Sequence, residues 1–355
     1  MDWAVARFTL PADMIEIDGA HGEGGGQLLR VALAMSALTR QAVHVTNIRA
    51  GRRKPGLARQ HLTAVEGLAR LCAAKVEGAV AGSREVTFRP GALRGGRLDL
   101  DVQTAGSVTL VLQAIMLPAL FAPHPTTVRI RGGTDVRWSP PVDYTQWVFL
   151  SHLALMGGEV TLRIERRGYY PQGGGRIRAE ITPLAHLAPY RAERMGDTLR
   201  IGGHAHVSNL PANVLERMKR KTEEALQNLA PVAIDTSVYG YQEAVGRGGA
   251  LVLWVETATS RLGASALAEK GIRAEAIGDR VAADLRADVQ ARVTADRFAA
   301  DQLLPFMALA SGPSVFLVRE VSGHLQTLFW LLPHFLDVDV RTRQEAGRTR
   351  VEVKP

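Results

Sequence analysis

The sequence predicts an α/β (α+β) fold. A large body of three repeated βα units would carry a smaller α/β unit inserted ahead of the third repeat. Three observations support this. Ala- and Leu-rich stretches of helical period alternate with short β-branched runs. The order helix–strand–helix recurs three times. The third recurrence is displaced by a stretch with strands and a helix of its own.

Taken in order, 14–18 reads as a strand, and Leu28, Leu29, Ala32, Leu33 and Ser36 fall at helical spacing within 26–38. A strand at 43–48, a helix over 57–72 and a strand at 85–88 follow. The second recurrence comprises a helix over 107–121 with Pro118 in its last turn, a strand at 128–131, a helix over 142–156 and a strand at 159–165. Strands at 198–207 and 250–256 flank a helix over 213–229. The third recurrence is a helix over 301–310, a strand at 316–318 and a helix over 324–335. The edges of the intervening stretch fall near Pro183–Pro189 and Ile277–Val281. Residues 1–185 with 279–355 would therefore form the large domain, and 186–278 the inserted one.

With 46% hydrophobic and 22% charged residues, a packed core is expected and global disorder is not. Lys and Arg outnumber Asp and Glu by 43 to 35, a net +8 that suits a polyanionic partner or simply a solvated basic surface. Cys72 is the one cysteine, so an intrachain disulfide and a multi-cysteine zinc site are excluded. The most apolar run, Val108 to Phe121, is too short to span a bilayer, and the N-terminus lacks the pattern of a secretory leader. A soluble cytoplasmic protein is expected.

The run Asp18-Gly19-Ala20-His21-Gly22-Glu23-Gly24-Gly25-Gly26-Gln27 joins a strand to a helix. Its glycines would let backbone N–H groups approach an anion at the helix start, or would simply make a tight turn. It matches neither a Walker A loop nor a dinucleotide fingerprint. Glu23 would repel phosphate directly, but it could hold a divalent metal that bridges to phosphate. Downstream, Arg49, Arg52, Arg53, Lys54 and Arg59 crowd a Gly/Pro loop that opens a helix. With Arg30 they could grip a triphosphate or an RNA end, or form an ordinary solvated loop. A second glycine cluster, Gly173-Gly174-Gly175, carries no acid or base and reads as a hairpin or turn. His324 follows Ser322-Gly323 at the start of an apolar helix. The positive helix end would keep such a ring neutral and nucleophilic, unless it is merely a capping or core histidine.

These segments resemble RNA 3′-terminal phosphate cyclases. The resemblance runs through Asp18-Gly19 to Gln27 with Arg30, Ile48 to Arg52, Lys54 to Leu57, Arg59-Gln60-His61-Leu62, Ala105-Gly106-Ser107 with Thr109 to Gln113, Gly132 to Asp135, and Ala300 to Leu303. It covers nearly the whole chain in order. It implies a large domain whose three βα repeats look like the C-terminal domain of translation initiation factor three, and a thioredoxin-like insert. It implies ATP, Mg²⁺ or Mn²⁺, and an RNA with a 3′-phosphate end. His324 falls on the family's nucleophile, which takes AMP from ATP and passes it to the RNA 3′-phosphate; the neighbouring 2′-hydroxyl then closes the ring. By the same resemblance Glu23 would hold the metal. Arg30, Arg49, Arg52 and Gln60 would contact phosphate oxygens, with Gln113 nearby. Asp301 and Gln302 would lie beside the nucleotide and histidine, and Pro140, Tyr144 and Phe298 would sandwich the adenine.

The sequence departs from the family at Leu328, where an asparagine is usual after the threonine of His324-Leu325-Gln326-Thr327, and at the extension Met1 to Pro11. A non-catalytic cyclase-like protein of ribosome assembly is the main alternative, and His324, Glu23 and Arg30 together speak against it. A small-molecule transferase of related architecture, such as an enolpyruvyl transferase, is a more distant one.

Overall fold

The computed structural model describes residues 14–355 of the 355-residue chain, so the extension Met1 to Pro11 lies outside the described residues. β1 (Ile15–Asp18), α1 (Gly26–Thr39), β2 (Val43–Thr46), α2 (Arg59–Cys72), β3 (Lys75–Glu77) and β4 (Val86–Arg89) come first. Their four strands form a sheet in the order β1-β2-β4-β3, parallel only between β1 and β2. Next come β5 (Gly96–Asp101), α3 (Val108–Ala119), β6 (Thr126–Gly132), α4 (Val142–Tyr144), α5 (Leu150–Leu155), β7 (Glu159–Gly168) and β8 (Gly175–Thr182). One π-helical turn, Thr145–Phe149, fuses α4 to α5. The glycine cluster at 173–175 closes the antiparallel β7–β8 hairpin.

β9 (Thr198–Ser208), α6 (Ala212–Leu226), β10 (Val232–Tyr239), β11 (Ala244–Val245), β12 (Gly248–Thr257), β13 (Arg261–Leu267) and α7 (Ala274–Gln290) follow. They give a four-stranded sheet, β10-β9-β12-β13, while the short β11 extends the other sheet to β11-β7-β8-β6-β5. The chain ends with α8 (Arg297–Met307), β14 (Ser314–Val318), α9 (Gly323–Leu331), β15 (Asp339–Glu345) and β16 (Arg348–Lys354), and with the three-stranded sheet β14-β16-β15. The fold is mixed α/β. No helix of the described residues is long and apolar enough to cross a membrane.

The buried apolar side chains fall into two clusters. One joins α1, α2, α3, α5, α8 and α9 to three of the sheets and takes in Val252 and Trp254 of β12 from the fourth. The other lies between α6, α7 and the β9–β13 strands. The edge expected at Ile277–Val281 falls inside α7, because Ile277, Val281 and Leu285 repeat at helical spacing on one buried face.

A closed ion cluster ties β7 and α4 to β9. Arg167 Nη1 donates to Asp143 Oδ2 at 2.7 Å and to Asp135 Oδ2 at 3.2 Å, and Nη2 donates to Asp143 Oδ1 at 2.8 Å. His206 of β9 lies 2.9 Å from Nη1, and its other ring nitrogen lies 2.9 Å from the Tyr169 hydroxyl. Asp135, Asp143 and His206 stand as close as metal ligands do, but the guanidinium already supplies their counter-charge. Burial opposes ionisation of Asp143, yet hydrogen bonds from His204 and His206 and the charge of Arg167 hold its carboxyl well below the usual range. Arg167→Leu would strand two enclosed carboxylates and is expected to cost about 3–5 kcal/mol. Urea unfolding midpoints check this, and an unchanged midpoint would show the cluster to be energetically idle.

Candidate active site

The site forms where the β1–α1 turn meets the start of α9. Gly22 has a φ of +60°, and a β-carbon there would fall 2.3 Å from Thr327 Oγ1, so only glycine fits. Thr327 Oγ1 donates to the Gly323 carbonyl at 2.8 Å and accepts from the Glu23 backbone N–H at 3.2 Å. One hydroxyl thus links the glycine turn to the first turn of α9. Ser322 caps that helix by accepting from the Leu325 N–H at 3.0 Å, and its hydroxyl also donates to Asp301 Oδ1.

His324 projects from this cap with 40% of its side chain exposed. Its Nδ1 lies 3.5 Å from Glu23 Oε2. Burial, with Arg30 and Arg52 nearby, lowers the imidazole pKa against the pull of Glu23, so the ring is neutral at pH 7. Glu23 Oε1 pairs with Arg52, whereas Glu23 Oε2 and His324 Nδ1 are enclosed and have no hydrogen-bond partner among the described residues.

Behind them, α1 begins at Gly25 with no side-chain cap, leaving its first N–H groups free of side-chain oxygens. Gly26 packs so closely on His61 that a β-carbon would meet Nε2 at 2.2 Å and Arg30 Nη1 at 3.2 Å. Arg30 is buried, and burial pushes its pKa down to about 10. His61 is pushed to about 3 by burial and then by Arg30 and Arg49. Its Nδ1 accepts from the Ala58 N–H at 3.2 Å, leaving a protonated Nε2 turned toward the α1 start. A helix N-terminus ringed by Arg30, Arg52 and an N–H of His61 favours an anion.

The other residues singled out in the sequence fall in three places. Arg49 donates to the Gly56 carbonyl at 2.7 Å, which orders the basic loop. Gln60 accepts from the Ser107 N–H at 2.9 Å; Ser107 contacts Thr109 Oγ1, which donates to the Pro140 carbonyl at 3.0 Å. That chain lines the start of α3, and Gln113 lies one turn further along the helix. Around α8, Phe298 is half-buried beneath the Arg297 guanidinium, and Gln302 Nε2 donates to its carbonyl at 2.9 Å. Tyr144 has no exposed face: it is 0% exposed, donates to Asp296 Oδ1 at 2.6 Å and meets Phe298 edge-on. Phe298 and Pro140 are each half-buried, whereas Tyr144 is enclosed with its ring against the edge of Phe298. Leu328, at the position where the family usually has asparagine, is fully buried in the core.

Sequence reasoning missed Ser322 and Thr327 as tethers and Gln27, which donates to the Asp301 carbonyl at 3.4 Å. Ser322 and Thr327 also make local bonds within the first turn of α9, but the partners that tether them and Gln27 across the site lie far along the chain, so no local pattern announces those links.

A partly exposed imidazole with a lowered pKa thus stands beside a helix start whose surroundings favour an anion. Residues 21–342 match the family described as RNA 3′-terminal phosphate cyclase. Relatives bearing that name include one from Nitrosospira multiformis, 46% identical with 96% of this chain and 97% of the relative covered. Another, from Methanopyrus kandleri, is 44% identical over 96% and 99%. A third, from Pyrococcus furiosus, is 43% identical over 91% and 93%. The chain belongs to the RNA 3′-terminal phosphate cyclase family. A solved EPSP synthase from Acinetobacter baumannii overlaps about half of each chain at 14% identity, with a TM-score of 0.26.

Burial raises the Asp301 carboxyl to about 7, although the Ser322 hydrogen bond opposes the rise. A carboxyl raised above its unfolded value binds a proton preferentially in the folded state. Its contribution to stability is full below pH 4 and is lost as pH rises through about 7. Asp301→Asn cannot ionise, so urea midpoints at pH 6 and pH 8 should differ less in the variant than in the wild type. An equal decline in both would assign the pH dependence elsewhere.

Proposed function

We propose that this enzyme uses ATP to convert an RNA 3′-phosphate end into a 2′,3′-cyclic phosphate, through AMP bound covalently to His324 and an RNA-ppA intermediate. The observation that supports it best is the neutral His324 imidazole standing 3.5 Å from Glu23 beside the uncapped start of α1. The triphosphate oxygens take the first N–H groups of α1 and the guanidiniums of Arg30 and Arg52, with Arg49, Gln60 and Gln113 around them. The adenine rests against Phe298 and Pro140.

Nε2 of His324 attacks the α-phosphorus, and the bond to the β-phosphate oxygen breaks, releasing pyrophosphate. Nδ1, turned toward Glu23, keeps its proton, so the lone pair stays on Nε2. An oxygen of the RNA 3′-phosphate then attacks the adduct, breaking the P–N bond and freeing the histidine. The 2′-hydroxyl gives its proton to solvent water and attacks the RNA phosphorus, and AMP departs with the electrons of the broken P–O bond. Glu23 suits a divalent cation, because Oε2 is an enclosed carboxylate oxygen without a hydrogen-bond partner among the described residues. Bound there, Mg²⁺ or Mn²⁺ would neutralise phosphate charge.

The finer division of the fold belongs to the same reading: three βα repeats in 1–185 and 279–355, with 186–278 as an inserted unit. The two clusters of buried apolar residues support it, with β12 between them: Val252 and Trp254 face the first cluster, and Leu251, Leu253 and Val255 the second. Tyr190 and Ala192 join the first cluster, whereas Met195 and α7 through to Val293 join the second, which argues for edges nearer 193 and 294.

The test is covalent labelling with ATP carrying a labelled α-phosphate. His324→Ala should lose the acid-labile AMP adduct while still binding ATP and still cyclising RNA supplied in adenylated form. Labelling as strong as wild type would overturn the mechanism. In the same assay Arg30→Ala should raise the ATP requirement by roughly 1.5–3 kcal/mol, the range for a lost charge-assisted contact.

A further inference from the structure

The solvent face of the sheet formed by β5, β6, β8 and β7 carries a feature that self-repulsion should disfavour. In register, Arg131 of β6 stands opposite Arg176 of β8, which stands opposite Arg166 of β7. The neighbouring outward row repeats this with Arg129, Arg178 and Arg163. Like charges directly opposite across strands are destabilising. A bulge in β7 completes the first row: Glu165 is the extra residue, and the register shift brings Arg166 opposite Arg176.

Neighbouring carboxylates balance only part of the charge. Arg131 reaches Asp101 at 3.5 Å, Arg129 reaches Glu165 at 3.7 Å, and Arg178 pairs with Glu180. Arg163 and Arg176 are exposed and have no ion pair among the described residues. The Nε atoms of Arg166 and Arg178 are enclosed and have no hydrogen-bond partner among the described residues, and that of Arg129 has only the distant Glu165 carboxylate. The helices α2, α3 and α5 pack against this sheet on its other, apolar side, where Val128, Ile130, Ile177 and Ala179 are buried.

The face also has a direction. Gly133, just beyond β6, donates to the Gly106 carbonyl at 2.8 Å, and Gly106 packs on the Gln60 side chain. The Arg131–Arg176–Arg166 row is therefore the end nearer the active site. Beside it, Tyr170 at the hairpin tip is 72% exposed, and Tyr241, whose carbonyl accepts from Arg166 at 2.8 Å, is 78% exposed. Paired arginine rows with exposed aromatic rings suit a flexible polyanion whose bases are free to stack.

We propose that this face is the track for the single-stranded RNA leading up to the 3′-phosphate. The inference rests on the cyclase reading above and adds the surface that holds the substrate's body. Charge complementarity selects the occupant: phosphates relieve the arginine rows, and the tyrosines offer faces to unpaired bases.

The test is fluorescence anisotropy with a single-stranded, 3′-phosphorylated RNA of about 12 nucleotides, within the roughly 4–16 that single-strand sites occupy. In the triple variant Arg163→Gln, Arg176→Gln, Arg178→Gln, affinity should fall about tenfold or more. The slope of log affinity against log salt should shrink by about 2, at about 0.7 per lost phosphate contact. Lysine at the same three positions should restore most of both. AMP labelling, which needs no RNA, should stay at wild-type level and reports on folding. If the glutamine variant does not fold, single substitutions at Arg163 and Arg176 should each lower the slope by about 0.7. Wild-type affinity and slope in variants that still label with AMP would overturn the track alone. A wild-type protein that labels no AMP and cyclises nothing would instead overturn the catalytic reading, and the binding comparison would still decide the track.

Discussion

One threonine hydroxyl holds the active site together. Thr327 Oγ1 bonds to the Gly323 carbonyl on its own helix and to the Glu23 N–H, 304 residues away in the chain. Gly22 must lack a side chain for that hydroxyl to fit, and the placement of Glu23 beside His324 follows from it. Ser322 repeats the device on the other side, joining the α9 start to Asp301 on α8. A neutral hydrogen bond of this kind contributes about 1 kcal/mol net, and one to an ionised carboxylate roughly 1.5–3. Their value lies in setting an imidazole against a carboxylate at the start of a second helix.

Electrostatics then follow from burial more than from pairing. Arg30 and His61 sit against the α1 N-terminus with little solvent, and both have lowered pKa values. The pocket therefore keeps one charged and one neutral nitrogen group aimed at the same place. A ligand bearing negative charge would relieve the desolvated guanidinium and satisfy free helix N–H groups together.

Much of this was legible in the sequence. The glycine turn, the basic loop and the helix beginning at His324 each carry a local signature, because glycine, clustered arginine and a Ser-Gly start have short-range causes. The helices read well, since their apolar residues repeat over several turns. The charged strands did not: β15 has no buried residue, and in β16 the buried Thr349, Val351 and Val353 alternate with Arg and Glu but include only two strongly apolar side chains. Tyr144 shows another limit. Sequence places it near a flat ligand, yet its hydroxyl found Asp296, far along the chain, and its ring was drawn into the core. The Asp135–Asp143–Arg167–His206 cluster shows a third, because its four members come from segments with no common motif.

The tether between Glu23 and Thr327 also bears on biosynthesis. During synthesis the glycine turn, Arg30 and His61 emerge well before α9, since Thr327 follows Glu23 by 304 residues. Until then the start of α1 has its cations but not the His324 imidazole. A chain that stops before α9 could still attract an anion there but would lack the imidazole that faces Glu23. The two halves of the candidate site thus meet only after the long intervening stretch has been made.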